Sequence, residues 1–498
     1  MYKRQGQNSC PELNEKVGVL DQNISVIEPV FDGNFAPPPP PPPPPPGDQL
    51  IYFVHGLGGT VDTWATASNG VQTNYQTTTL RPTYSEFSLE GAGIDLHNML
   101  VSDGAPHLEI NGITDASTSF LIGSSQGGIV SRAANKYYSD VPAAEADRMF
   151  GGIVTFGSAH QGARIINNID VLQQLLNEGC TDLATPFVLG QVPQIALPLV
   201  NLTGLQDGVD QFCGVITGFI ESQVFGQFLA PITEDYAVGA PELEALNEFS
   251  ATSNIPKVAF YGVEEEPIFW RTMNYFTTDP NASTIYQANE DDDLMNQADD
   301  FILEVIMRFE AADLAYENEL HNLCNTWDWI TNPIGCLYNE LTIDIEDLRL
   351  QRDVWADGLN YMLTLNDQYK IAIGALDFEP EMAGVECTCT RYDTSGPTGI
   401  SNTFIVGSNV QCLQNNEAFV NCVSTNYYTF HPVEHPSDGV ILASSAGDMP
   451  GGIVRPDLDR EMVNTSHQQM RNNSELREKL EVLVFAGEVD DFFRIFPR

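Results

Sequence analysis

Gly123-Ser124-Ser125-Gln126-Gly127 constrains this chain more than any other stretch. The apolar run Phe120-Leu121-Ile122 ahead of it has strand character, and Ile129-Val130, Ala133-Ala134 and Tyr137 follow at helical spacing. A strand that turns into a helix across one pentapeptide needs small flanking residues. Gly123 and Gly127 meet that need, allowing a tight, strained turn and close packing of the helix. The turn would lift the Ser125 hydroxyl clear of the backbone as a candidate nucleophile.

A second strand, Ile51-Tyr52-Phe53-Val54, ends in the glycine loop His55-Gly56-Leu57-Gly58-Gly59. Beside a nucleophilic serine, such a loop offers a backbone N–H to a developing oxyanion. The expected donors are the amides of Leu57 and Gln126, with His55, Gly56, Gly58, Gly123 and Gly127 shaping the supporting backbone. A phosphate-binding loop is the alternative, but the chain has neither G-x-G-x-x-G nor Gly-Lys-Ser/Thr here.

Together with Ile153-Val154-Thr155-Phe156-Gly157-Ser158-Ala159-His160-Gln161-Gly162, these two features resemble an α/β-hydrolase of the bacterial lipase or esterase type. The third stretch is similar to the lipase strand ending in Gly-Thr-Pro-His-x-Gly, with Ser158-Ala159 in place of Thr-Pro. Ala237–Asn247 is similar to the segment before the next core strand, which would be Lys257–Gly262. The resemblance covers residues 50–165, 237–263 and 431–485. It implies an α/β fold with a mostly parallel central sheet flanked by helices, and a Ser, Asp/Glu, His order of triad residues along the chain.

On that order, Ser437-Asp438-Gly439-Val440-Ile441 looks like the turn that carries the acid in bacterial lipases. Asn464-Thr465-Ser466-His467-Gln468-Gln469 looks like their histidine loop, with a final helix running through Leu476, Leu480 and Val484. Asp438 would hold the tautomer of His467, and His467 would take the Ser125 proton. Glu264, Glu265 or Glu266, directly after the Lys257–Gly262 strand, is the alternative acid. Among the other histidines, His55 is expected to order backbone and His160 to line the site. His431 and His435 lie too close to Asp438 in sequence to serve it. His97, His107 and His321 have no chemical neighbours in sequence and read as surface or core residues.

Composition narrows the partners. With 68 acidic and 22 basic residues, the net charge of −46 repels phosphate backbones and anionic membranes alike. Nucleic acid is thereby excluded as a partner, and a neutral ester, lipid or polymer fits better. No run of 18 or more apolar residues is present, so no transmembrane segment is expected. The acidic run Glu290–Asp293 lacks the spacing and glycine of a calcium loop, and neither a metal nor a cofactor is implied.

The nine cysteines read as a disulfide framework formed in an oxidising compartment. Cys324 and Cys336 bracket a short loop, where a bridge would contribute on the order of 3 kcal/mol. Cys387, Cys389, Cys412 and Cys422 crowd one segment, Cys180 and Cys213 lie in another, and Cys10 is left over. Zinc at Cys387-Thr388-Cys389 is the rival reading, but C-x-C spacing suits it poorly and no histidine falls in the cluster.

The organisation expected is one core carrying two insertions. Residues 1–36 read as the tail of an upstream segment. Met1–Gln5 matches what a common transposase sequencing adapter would encode, so a lost signal peptide is expected despite an extracellular, periplasmic or cell-surface location. The ten prolines Pro37–Pro46 make 37–47 a semi-rigid linker. The core occupies 48–162, 237–266 and 431–498. An apolar insertion, 163–236, reads as a helical lid able to touch a lipid interface. The second, 267–430, reads as a helical hairpin followed by a cysteine-rich, β-like patch. The resemblance implies hydrolysis of a carboxylic ester. Acyl transfer to an alcohol by the same triad, amide hydrolysis, and a noncatalytic binding module on this scaffold remain alternatives.

Overall fold

The structure, a computed structural model, describes residues 49–75, 77–172, 230–266, 268–269, 271–272, 306–307, 309–318, 345–392, 401–405, 421–471, 474–486 and 489–495. All of them belong to the compact unit Pro44–Arg498. The segment expected to be a proline linker, most of the one expected to be a lid (163–236), Glu290–Asp293, His321, and Cys10, Cys180, Cys213, Cys324, Cys336 and Cys412 lie outside the described residues.

Strands β1 (Leu50–Val54), β2 (Thr78–Leu80), β3 (Phe120–Ser124), β4 (Gly152–Phe156), β5 (Lys257–Val263) and β9 (Glu461–Val463) form one sheet, ordered β2-β1-β3-β4-β5-β9. Every neighbouring pair in it is parallel. Parallel strands need crossovers, which here lay helices on both faces, so the central strands are apolar throughout rather than alternating. β1 shows the consequence. Leu50, Tyr52 and Val54 enter one core while Ile51 and Phe53 enter the other, and all five are buried.

Trp64 and helix α1 (Ala65–Tyr75) lie on the Ile51 side. The opposite core receives α2 (Leu89–Met99), α3 (Gln126–Asp140) and α4 (Pro241–Thr252). Ser88 caps α2 by accepting from the Gly91 N–H at 3.1 Å. Helix α5 (Ile345–Ile373) joins the same core through Leu365, Tyr369 and Ile373, and α6 (Ser474–Leu480) joins the Trp64 side through Leu476 and Leu480. A smaller antiparallel sheet, β7 (Ser401–Ile405), β6 (Leu376–Tyr392) and β8 (Asn421–Glu434), follows α5. Its backbone register sets Cys389 opposite Cys422.

The strand order reverses at β1. Chain continuing from β1 leaves toward β2 and returns to β3, which opens a crevice beyond the carboxyl ends of β1 and β3. The glycine loop and Ser125 both sit at that crevice.

Two buried cations tie α4 to the sheet. Arg132, on α3, donates to Ser250 Oγ at 2.9 Å, to Asn247 Oδ1 and to His160 Nδ1 at 3.0 Å. Lys257 opens β5, and its ammonium donates to the Ser250 and Ser253 carbonyls, both at 2.8 Å, at the carboxyl end of α4. Burial, and then the Arg132 charge, pull the Lys257 ammonium down to about 8. The folded value lies below the ordinary 10.5, so the unfolded chain holds this proton more tightly. The contribution of Lys257 to stability therefore rises as pH climbs through that interval. In urea unfolding, the stability difference between wild type and Lys257→Met is expected to shift in favour of wild type from pH 8 upward. A difference independent of pH would mean that the ammonium is no harder to charge in the folded protein.

Candidate active site

Ser125 stands between β3 and α3 with φ 51° and ψ −126°, a backbone conformation that an L-residue resists. Its N–H donates to the Phe156 carbonyl on β4 at 2.9 Å, which anchors the turn to the neighbouring strand. Gly127 lies so close to the loop after β1 that an added Cβ would strike the His55 carbonyl. Only glycine allows that approach, and through it the elbow and the glycine loop become one unit.

His467 and Asp438 complete the arrangement from the far end of the chain. His467 Nδ1 donates to Asp438 Oδ2 at 2.8 Å, and His467 Nε2 accepts from Ser125 Oγ at 2.9 Å. The carboxylate fixes the proton on Nδ1 and leaves Nε2 free to accept, as a general base requires. Asp438 is fully buried, and its other oxygen accepts the Val440 and Ile441 N–H groups at 2.9 and 2.7 Å. The His467 N–H donates to the Asp438 carbonyl at 2.7 Å, so the two residues are also tied through backbone.

Glu264, Glu265 and Glu266 do not reach His467. Glu264 is buried against Arg271 at 2.9 Å, with burial raising its carboxyl and Arg271 opposing the rise. Arg271 also donates to Asn464 Oδ1 at 2.7 Å. Glu265 is exposed, and Glu266 binds Lys370 and Asn366. The expectation for His160 is corrected. It is fully buried, with both ring nitrogens engaged inside the core, accepting from Arg132 at Nδ1 and donating from Nε2 to Thr155 Oγ1 at 2.8 Å. Burial, and then Arg132, hold its imidazole well below the ordinary value. A histidine at a strand end gives no sign in sequence of whether it faces the crevice or the core.

Of the remaining histidines, His97 is buried against the Tyr138 hydroxyl at 3.1 Å and His107 bonds the Asp103 carbonyl. His431 and His435 lie beside Glu381 and Asp377.

The glycine loop abuts the serine, for a side chain at Gly56 would meet Ser125 Cβ at 2.9 Å. A bond from Gly59 N–H to the Gly56 carbonyl, 3.0 Å, closes it into a turn. Gln126 opens α3, so its N–H is among those a helix leaves without an intrahelical acceptor. His55 is buried and stacks on Tyr84 with ring centroids 4.5 Å apart, while its Nδ1 donates to the Gly56 carbonyl at 2.8 Å. Burial lowers its imidazole, with the Gly56 bond opposing. The Tyr84 hydroxyl donates to the His55 carbonyl at 2.8 Å, and Glu86 Oε1 accepts the Gly58 N–H at 2.7 Å. On the far side, the Tyr236 hydroxyl donates to Gln126 Oε1 at 3.0 Å. Tyr84, Glu86 and Tyr236 escape a reading of the sequence because no motif marks them. Among the described residues, no cluster of His, Cys, Asp and Glu can hold a metal ion, and no helix is long and apolar enough to cross a membrane.

Burial raises the Glu86 carboxyl, and the Gly58 N–H opposes the rise. Glu86→Ala removes the acceptor that fixes the loop and is expected to slow the reaction of Ser125 with a fluorophosphonate probe about 10- to 100-fold. Glu86→Gln keeps an acceptor oxygen and should lose far less. The wild type loses stability as pH rises through the raised value, whereas the glutamine variant does not. Its stability relative to wild type should therefore grow from acidic to neutral pH in urea unfolding. Equal kinetic losses in both variants would show that the Gly58 bond does not set the loop.

No protein-family model and no curated protein matches the sequence. Among solved structures, phospholipase PlaB from Legionella pneumophila aligns at TM-score 0.29 and 12% identity, over 45% of this chain and 41% of that one. The chain thus spans well under half of that phospholipase. Mature lipase BlEst2 from Bacillus licheniformis aligns at TM-score 0.24 and 15% identity, over 47% of this chain and 70% of the lipase. An extracellular α/β-hydrolase from a Paenibacillus species aligns at TM-score 0.23 and 13% identity, over 43% and 76%. The parallel sheet with its reversal at β1, the serine turn between β3 and α3, and Asp438 and His467 arriving after β5 give this chain the architecture of an α/β-hydrolase fold.

Proposed function

We propose that the protein is a serine carboxylic-ester hydrolase acting on a neutral, apolar ester. The observation that carries this reading is the unbroken relay Asp438–His467–Ser125, closed at 2.8 and 2.9 Å beside the glycine loop. His467 Nε2 takes the Ser125 proton as Oγ attacks the ester carbonyl. The Leu57 and Gln126 amides receive the oxyanion, and Asp438 stabilises the imidazolium. Collapse of the tetrahedral intermediate breaks the bond to the alcohol oxygen, which leaves with the proton from His467. Water then enters by the same route: His467 takes one of its protons, the acyl–Oγ bond breaks, and Ser125 recovers its hydrogen. The balance is ester plus water giving acid plus alcohol, with no cofactor.

The test is hydrolysis of p-nitrophenyl esters of increasing acyl length by wild type and Ser125→Ala. Wild type is expected to turn over, and the variant to lose on the order of 10⁵- to 10⁶-fold in kcat. A preference for long chains supports a lipase, and for short chains an esterase. Equal rates in the two proteins would sink the proposal.

An extracytoplasmic, oxidising location belongs to the same proposal, supported by the cysteine content and by Cys389 standing opposite Cys422 in register. Mass spectrometry of denatured, unreduced protein after thiol alkylation should find these two cysteines unmodified by the alkylating reagent. Full alkylation of both would remove that support.

A further inference from the structure

The turn Ser437–Ile441 that carries Asp438 is buried throughout, so its backbone carbonyls need donors from within the protein. For Gly439 the donor comes from outside the hydrolase core. The Tyr369 hydroxyl, on α5, donates to the Gly439 carbonyl at 2.6 Å, and Tyr369 is itself fully buried. Burial and the nearby Asp438 push the Tyr369 phenol far above its ordinary range, so it remains a donor at any working pH.

The neighbouring residues on the same face of α5 grip two further segments, the chain just after β5 and the end of β8 that leads into the turn. Asn366 Oδ1 accepts the Phe269 N–H at 2.9 Å, and Asn366 Nδ2 donates to Glu266 Oε2 at 2.9 Å. The Lys370 ammonium, 4% exposed, bridges Glu266 and Glu434, the latter at 2.8 Å. Phe269 packs on the Tyr369 ring with centroids 5.1 Å apart. Positions 366, 369 and 370 are spaced i, i+3, i+4, which puts all three on one helical face. The end of the helix is pinned as well, for Asn168 Nδ2 donates to the Ala372 carbonyl at 2.7 Å.

We infer that the last two turns of α5 are a brace for the triad acid, and that Tyr369 is a positioning residue acting on His467 through Gly439 and Asp438. The inference rests on the ester-hydrolase reading and gives the 267–430 insertion a task in that reaction. The hydroxyl fixes the apex of the turn. The turn aims the two backbone N–H groups at Asp438 Oδ1 and leaves Oδ2 for the histidine. With the apex carbonyl unheld, the carboxylate can drift from the imidazole, and the loss falls on the chemical step rather than on substrate binding.

Tyr369→Phe keeps the ring and removes only the donor. It is expected to lower kcat for an activated aryl ester about 10-fold with KM nearly unchanged. In an Asp438→Asn background the same substitution should cause no further loss, because its effect travels through the carboxylate. Leu365→Ala, buried on the same helix but without a bond to the turn, should lower Tm while leaving kcat of the folded protein unchanged. Rates are compared well below every Tm, so weakened folding alone does not mimic the result. Wild-type turnover that depends on Ser125, with Tyr369→Phe at full kcat, overturns the brace and leaves the hydrolase reading intact. A further loss in the Asp438→Asn background as large as that in wild type also overturns it. A wild type inert toward esters overturns both.

Discussion

The backbone of Ser125 is held in a region of φ and ψ that costs an L-residue on the order of 1–3 kcal/mol. Nothing local favours it. It persists because β3 is locked in register between β1 and β4, because the Ser125 N–H is fixed to Phe156, and because α3 buries its apolar face immediately afterwards. The same closeness that strains the serine brings Gly127 against the His55 carbonyl and Gly56 against Ser125. The glycine loop, its Tyr84 and Glu86 contacts, and the first helical N–H at Gln126 are therefore consequences of one turn. Relaxing that turn would move every donor around the nucleophile together.

The rest of the site belongs to a second unit. Ser125 and His467 are 342 positions apart, whereas His467 and Asp438 are separated by 29 and are bonded through both side chain and backbone. Asp438 and His467 thus arrive as a preassembled pair, carried to Ser125 by the pairing of β9 on β5. Long intervening segments are cheap in such a design, since loop-closure entropy grows only with the logarithm of length. That economy explains how a core of this kind tolerates insertions. It also leaves intervening chain free to supply support, as α5 does at the Gly439 carbonyl.

What the sequence made legible were the short patterns whose residues are adjacent in the chain. The strand ends at Val54 and Ser124, the pentapeptide around Ser125, and the Asp438 and His467 segments carry their geometry in a few consecutive residues. The supporting contacts are invisible at that level. Tyr84, Glu86, Tyr236 and Arg271 are single side chains in ordinary surroundings, and each acquires its role only through packing across the fold. Helix α2 was equally hard to read, because Gly91 and Gly93 lower its intrinsic propensity. Its packing supplies the reason for one of them: a Cβ on Gly93 would lie 2.9 Å from that of Ala133 on α3. Strands β2 and β9, three residues each, are too short for any periodicity to register.

Charge follows the same division between surface and site. A net charge of −46 would oppose an oxyanion if it acted as a whole, but exposed charges are screened over about 8 Å at physiological ionic strength. The surroundings of Ser125 are set by the groups beside it: the buried Asp438 carboxylate committed to His467, and Glu86, whose carboxyl is raised by burial and whose Oε1 accepts the Gly58 N–H. Deeper in the core, the Arg132 and Lys257 donors are satisfied without carboxylates. They use the Asn247 and Ser250 side chains and the carbonyls at the end of α4, where the helix dipole is negative. The protein can therefore present an acidic surface while the serine turn and its donors work in a field set by backbone.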